Sequence, residues 1–210
     1  MIEGSSPPQW ERCVRISLCL AVFVVGSICP LLATAQVFVS PQDANALRLS
    51  GASVLDARGQ RSYLRSHAPG AVRIDWQTFS DPDQRGRLHS DDVYLGDRFR
   101  SLGVSRNRPV VIMGDWQRGW GEEGRIFWML EYLGHDRVHI VSGGFSGWID
   151  AGMPVTQDAV SPVLGEFTVL RNPSRLLTLA EVVQGGHALL DVRTRGEYAG
   201  ETPYGSSRGG

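Results

Sequence analysis

From residue 36 to residue 155 short apolar runs alternate with amphipathic stretches. Val37-Phe-Val-Ser40 predicts a brief strand running into Ser40-Pro41, an N-cap followed by proline at the first helical position, and the spacing then predicts a helix over Gln42–Leu49 that ends near Gly51. Ser53-Val-Leu-Asp56 is a short apolar run of the kind that fills a buried parallel strand. A short helix over Gln60–Ser66 and a strand over Ala71-Val-Arg-Ile-Asp75 follow, and the polar stretch Asp81–His89 predicts a loop. Val93, Leu95, Phe99 and Leu102 fall at helical spacing over Asp91–Leu102, which stops at Gly103. Pro109-Val-Val-Ile-Met113, apolar at every position, predicts a central strand. Arg125–Leu133 predicts an apolar-rich helix closed by Gly134, and Val138-His-Ile-Val141 a further strand that Gly143-Gly144 turns into a short helix, Phe145–Ala151. Strands alternating with helices at these intervals predict an α/β fold, a parallel β-sheet with helices on both faces.

The pattern then lapses and restarts. Residues 156–174 are irregular and punctuated by proline, the composition of an inter-domain linker. Beyond them Leu177–Gly185 predicts a helix and Ala188-Leu-Leu-Asp191 a strand. Asp191 and Arg193 repeat the spacing of Asp56 and Arg58 about one domain length later. Residues 175–210 thus look like an incomplete second copy of the fold that fills residues 36–155. One helix and one strand bury too little apolar surface to close a core, so this part is expected to dock loosely or to move.

The first 35 residues are of another kind. A polar start with Arg12 and Arg15 leads into an apolar run over residues 16–32, and Ala33-Thr34-Ala35 closes it, the organisation of a secretory signal peptide cut after Ala35. An uncleaved anchor through residues 16–32 is the alternative, although about 17 residues lie at the lower edge of what spans a bilayer and Pro30 interrupts them. The three cysteines, Cys13, Cys19 and Cys29, all lie in this leader. A chain beginning at Gln36 therefore has no disulfide, no thiolate nucleophile and no Cys-based metal site. It would be periplasmic or secreted, with no membrane contact after cleavage. Charge adds little: the 42% hydrophobic and 20% charged residues are those of a globular protein, and the net charge of -1 leaves no basic stripe for nucleic acid. His67, His89, His135, His139 and His187 show no ligand spacing, and His135 and His139 straddle a turn and a strand where four residues do not converge. No metal or organic cofactor is implied, and nothing speaks to oligomeric state.

Four motifs in order carry a resemblance. They are Leu55-Asp56-Ala57-Arg58 with His67-Ala68-Pro69-Gly70-Ala71; Val110–Met113 and the loop after it; Gly143-Gly144-Phe145-Ser146-Gly147-Trp148 with Gly152-Met153-Pro154-Val155; and Asp191-Val-Arg193 through Tyr204–Gly210. Together they resemble the rhodanese family, specifically its tandem members, the thiosulfate and 3-mercaptopyruvate sulfurtransferases. Most of these positions make structural sense without the name. Proline removes a donor and fixes φ while glycine permits positive φ, so His67–Ala71 is a tight turn with His67 a hydrogen-bonded turn residue, and Gly143-Gly144 lets the backbone turn so that Trp148 buries its ring.

What the resemblance implies is sulfur transfer. In the family a Cys thiolate in the loop after the central strand takes a sulfane sulfur from a small donor such as thiosulfate. It holds the sulfur as a persulfide and passes it to a nucleophilic acceptor such as cyanide or a thiol. Loop N–H groups at a helix N-terminus lower the thiol pKa and cradle the anion. Here that nucleophile position falls on Gly114, in a loop whose Asp115, Glu122 and Glu123 repel an anion, as in a non-catalytic first domain. Arg118 is the loop's one cation, and Arg208 resembles the arginine that approaches the donor's anionic group in a second domain; both are candidate donor-binding residues. Trp116 and Trp120 are expected to pack or to line a cleft. Two functions remain: an exported sulfurtransferase of which this chain carries the first domain and the start of the second, or a non-catalytic rhodanese-like scaffold in the periplasm. A phosphatase of related fold would need the same Cys loop.

Overall fold

A computed structural model of the chain describes residues 36–84 and 86–201. The leader expected over residues 1–35 with its three cysteines, the alternative anchor over residues 16–32, and Arg208 lie outside the described residues. Five strands, β1 (Phe38–Val39), β2 (Ser53–Asp56), β3 (Val72–Arg73), β4 (Val110–Met113) and β5 (Val138–Val141), form one sheet in the order β1-β5-β4-β2-β3. Every pairing is parallel, with Ser53 opposite Val110 and Val110 opposite Val138. The helices are α1 (Pro41–Leu49), α2 (Gln60–Arg65), α3 (Asp92–Ser101), α4 (Glu122–Tyr132) and α5 (Gly144–Asp150), followed by α6 (Leu179–Gln184) and α7 (Arg195–Tyr198).

Side chains alternate across each strand, and two cores result. Val54, Val111, Met113 and Val141 face Ala44 of α1 and Phe145 and Trp148 of α5. Leu55, Val110, Ile112 and Val138 face Leu95 and Phe99 of α3 and Ile126, Met129 and Leu130 of α4. All four residues of β4 are buried, as a strand covered on both faces requires. Helix starts are set by short polar side chains that take up otherwise unpaired amides. The Ser40 hydroxyl accepts from Asp43 N–H at 3.1 Å, and Asp91 accepts from Val93 and Tyr94 N–H at 2.8 and 3.2 Å.

Four elements differ from the pattern-based expectation. A 3-10 turn over Trp76–Phe79, capped by Asp75, joins β3 to the loop; its one buried anchor, Phe79, is too little for periodicity to show. Helix α4 begins at Glu122 rather than Arg125, because two acidic residues that read as loop are favoured by the positive end of the helix dipole. The expected strand Ala188–Asp191 does not form. It has no neighbour to pair with, and Leu189 and Leu190 stand 66% and 87% exposed. Helix α7, with its own Thr194/Glu197 capping box, follows instead and was not anticipated.

The segment read as a linker, residues 156–174, is irregular but tied down along its length. His67 and Thr156 exchange backbone hydrogen bonds at 2.9 and 2.8 Å, Gly165 N–H donates to Arg100 O at 2.8 Å, and Leu170 N–H to Leu133 O at 3.0 Å. Phe167 is 1% exposed and meets the Phe99 ring edge-on at 5.4 Å. At Gly165 the strap passes so close to Val104 that a Cβ would overlap its carbonyl, which leaves glycine as the residue that fits. Among the described residues no helix is long and apolar enough to cross a membrane.

Candidate functional site

In an open parallel sheet the ligand crevice lies at the carboxyl ends of the strands, where the chain order reverses. Here the chain leaves β2 towards β3 and leaves β4 towards β5, in opposite directions, so the reversal falls between the ends of β2 and β4. Asp56 closes β2 and Gly114 follows β4. These ends are bound together: Ala57 N–H donates to Met113 O at 2.8 Å.

The β2 end is held by a buried ion pair. Arg58 donates from its backbone N–H and its Nε to Asp56 Oδ1 at 3.0 and 2.9 Å, and from Nη2 to Oδ2 at 2.6 Å. The same guanidinium donates to Ser66 O at 2.7 Å and lies 3.5 Å from the centroid of the Phe145 ring. One side chain therefore joins β2, the end of α2 and the start of α5. Residues Ala68-Pro69-Gly70-Ala71 make a turn closed by Ala71 N–H donating to Ala68 O, with Gly70 at φ +78°. His67, just before it, is buried and stacks on Tyr63 at 4.1 Å. Its Nδ1 faces Tyr63 O at 2.9 Å and its Nε2 faces Asp158 O at 3.1 Å, so this histidine ties the turn to the strap. Burial, with the Asp56 charge adding, raises the Tyr63 pKa above its ordinary value and keeps the phenol neutral as it donates to Ala71 O.

The β4 loop occupies the other side of the crevice. Gly114 is buried, its carbonyl accepts from Phe145 N–H at 3.0 Å, and Gly144, at φ +56°, packs so closely that a Cβ there would strike that carbonyl. Gly143 N-caps α5, whose Trp148 is fully buried and donates Nε1–H to Pro154 O at 2.8 Å. The space a side chain would need at Gly114 is filled by Glu123: a Cβ built there would run into the Glu123 carboxylate. That carboxylate buries Oε2, which finds no hydrogen-bond donor among the described residues. The other two loop acids take up loop amides. Asp115 Oδ1 accepts from Arg118 N–H at 3.2 Å and Glu122 Oε2 from Trp120 N–H at 2.8 Å. The loop thus satisfies two of its amides with its own negative charges, and an anion bound to them would have to displace those carboxylates.

The remaining sequence candidates lie apart. The Arg118 side chain is exposed and makes no hydrogen bond or ion pair among the described residues, and Trp116 and Trp120 are 61% and 87% exposed. Asp191 and Arg193 form the bonding pattern of Asp56 and Arg58 in the open: backbone N–H to Oδ1 at 2.9 Å and Nη2 to Oδ2 at 2.8 Å. Among the described residues no group of His, Cys, Asp and Glu side chains gathers in a metal-binding arrangement. Sequence reading counted Glu123 as a repelling charge and overlooked its fit over Gly114. The available signal was a glycine at a strand end followed by an acid in the next helix's first turn, which points back over the strand. Phe145 as the partner of Arg58 left no trace in the sequence.

A family model described as Rhodanese-like domain matches residues 39–151. The sulfur carrier protein TtuD of Thermus thermophilus is 32% identical over 151 residues, which cover 68% of this chain and 52% of that protein. The thiosulfate sulfurtransferase of Rattus norvegicus is 28% identical over 151 residues, 70% of this chain and 51% of its own. The 3-mercaptopyruvate sulfurtransferase of Mus musculus is 27% identical over 178 residues, 80% and 60% respectively. Among solved structures, the 3-mercaptopyruvate sulfotransferase SseA of Escherichia coli superposes with a TM-score of 0.63 at 23% identity, covering 71% of this chain and 61% of that one. The chain spans about half the length of the first two of these relatives. The matched residues run from β1 through α5 and include both walls of the crevice, and the chain belongs to the rhodanese family.

Proposed function

We propose that this chain is the first-domain half of an exported, tandem sulfurtransferase-type protein, and that residues 36–210 do not themselves transfer sulfur. In such a parent a Cys persulfide in the second domain carries sulfane sulfur from thiosulfate or a related donor to a thiophilic acceptor. The observation that carries this reading is the loop after β4, where Gly114 stands at the nucleophile position and the Glu123 carboxylate fills the space above it. Sulfurtransferases among the relatives, their roughly doubled length, and the recurrence of the Asp-x-Arg corner at Asp191–Arg193 support it. The leader over residues 1–35 supports export, and the first domain then serves as scaffold and wall of the substrate crevice. Chain purified from Gln36 onward and mixed with thiosulfate and cyanide is expected to form no thiocyanate above a protein-free control. Robust turnover would overturn the proposal.

A second reading, a self-standing non-catalytic binding module in the periplasm, draws on the acid-filled loop and the exposed Trp116 and Trp120 beside it. DNA beyond the codon for Gly210 separates the two. An in-frame or shifted His-Ile-Pro-Gly-like turn and a later cysteine loop support the tandem parent; absence of both leaves the module.

A further inference from the structure

A cleft of about 690 Å³ opens between residues 81–84 and 86–90, the outer face of α4 and the residues leading into α6. None of the loop residues 114–121 lines it, so it is distinct from the β4 crevice. Its floor is Trp128 and Tyr132, one helical turn apart on α4, with rings 5.3 Å apart and 3° from parallel. The two rings are stacked on each other, with the Arg125 guanidinium 4.5 Å from the Trp128 ring and that of Arg171 5.4 Å from the Tyr132 ring. Arg87 stands exposed at the mouth, and Leu88, Leu176, Leu177 and Leu179 supply apolar walls.

The charges are unequally satisfied. Arg171 is paired with Asp92 at 2.6 Å and donates to His89 O and Ser90 O. Arg125 spends Nη2 on Gly86 O at 2.6 Å, while its Nε is buried with no acceptor among the described residues. Burial also pulls the Arg125 pKa below its ordinary value, the mark of a cation without a counter-charge. Among the described residues Asp81 is the single acid lining the cleft, against three arginines.

We propose that this cleft binds an organic anion, a carboxylate or sulfonate on an apolar body, with the body between the edges of the Trp128 and Tyr132 rings and the leucine walls and the charge drawn to Arg125 and Arg87. Apolar walls with a few convergent polar groups are the usual make-up of small-molecule sites, and cation–aromatic contacts of this kind strengthen as water leaves.

The test uses the full chain with 15N-labelled tryptophan, titrated with indole-3-acetate, with its neutral analogue indole-3-acetamide and with sodium sulfate. Indole-3-acetate is expected to shift the Trp128 indole N–H saturably in the millimolar range while that of Trp148, buried beneath α5 on the opposite face of the sheet, stays still. The acetamide and sulfate are each expected to bind more weakly. Arg87→Gln, which removes an exposed side chain bonded to Gln84, is expected to weaken indole-3-acetate about fivefold, the loss expected of one partly solvated charge, without changing the melting temperature. Absence of a saturable shift overturns the proposal. Equal binding of the acetamide removes the claim on charge, equal binding of sulfate removes the claim on the apolar body, and an Arg87→Gln chain that binds unchanged removes its cation from the site.

Discussion

Among single residues, the two Asp–Arg corners form a natural control pair. Asp56 neutralises an arginine that is only 8% exposed, so Asp56→Ala would strand a buried charge and is expected to lower unfolding free energy by about 3 kcal/mol or more in a urea titration. Asp191→Ala removes the same bonds where both partners stand in solvent, and the midpoint is expected not to move. His135 gives a second test. Burial holds its pKa below the ordinary value, and the neutral ring donates Nε2–H to Ser105 O at 3.2 Å while Nδ1 accepts from Arg137 N–H at 3.2 Å. Below about pH 6.5 the unfolded chain binds the proton more readily than the folded one, so stability is expected to fall as pH drops and to level off beneath the folded pKa. His135→Gln should flatten that slope. Sequence exposed the Asp56–Arg58 corner because both partners are local. It could not show Phe145, Ser66 or Glu123 as neighbours, because those contacts are made by the sheet's order and not by spacing along the chain.

Elements were legible wherever local signals agreed with the global fold. Ser40-Pro41 and Asp91 announced two helices, and the unbroken apolar run of Val110–Met113 announced the central strand. The packing of the strap does not show in the sequence, because its prolines and irregular backbone conceal Phe167, a single apolar residue with a large burial. Phe167→Ala is expected to lower stability by about 3–5 kcal/mol and to open residues 156–172 to limited proteolysis, whereas Val163→Ala, at an 83% exposed position, should do neither. The converse error occurred at Ala188–Asp191, whose apolar pattern is right for a strand that has nothing to pair with. Its amides are expected to exchange with deuterium close to the unstructured rate, while those of β4 persist until global unfolding. Protection of Leu189 and Leu190 equal to that of Val111 and Ile112 would show that the segment has found a sheet.

For the whole molecule, the cooperative unit is expected to extend from β1 to the 3-10 turn at Pro173–Arg175, since the strap completes the core around Phe99 and Phe167. Residues 176–201 hang from it through few anchors, one of them Trp128 Nε1–H donating to Arg175 O at 2.8 Å just ahead of them. A melt followed by near-ultraviolet circular dichroism is expected to show one transition, from residues 36–175, with α6 and α7 already labile below it. The solvent-exposed Asp191–Arg193 corner then bears on how a tandem chain is made. It sets its bonds by sequence neighbours alone, with no strand beside it, and closing so short a loop is entropically cheap. In the tandem parent proposed above, a second repeat emerging from the ribosome would carry this bend before any of its sheet exists.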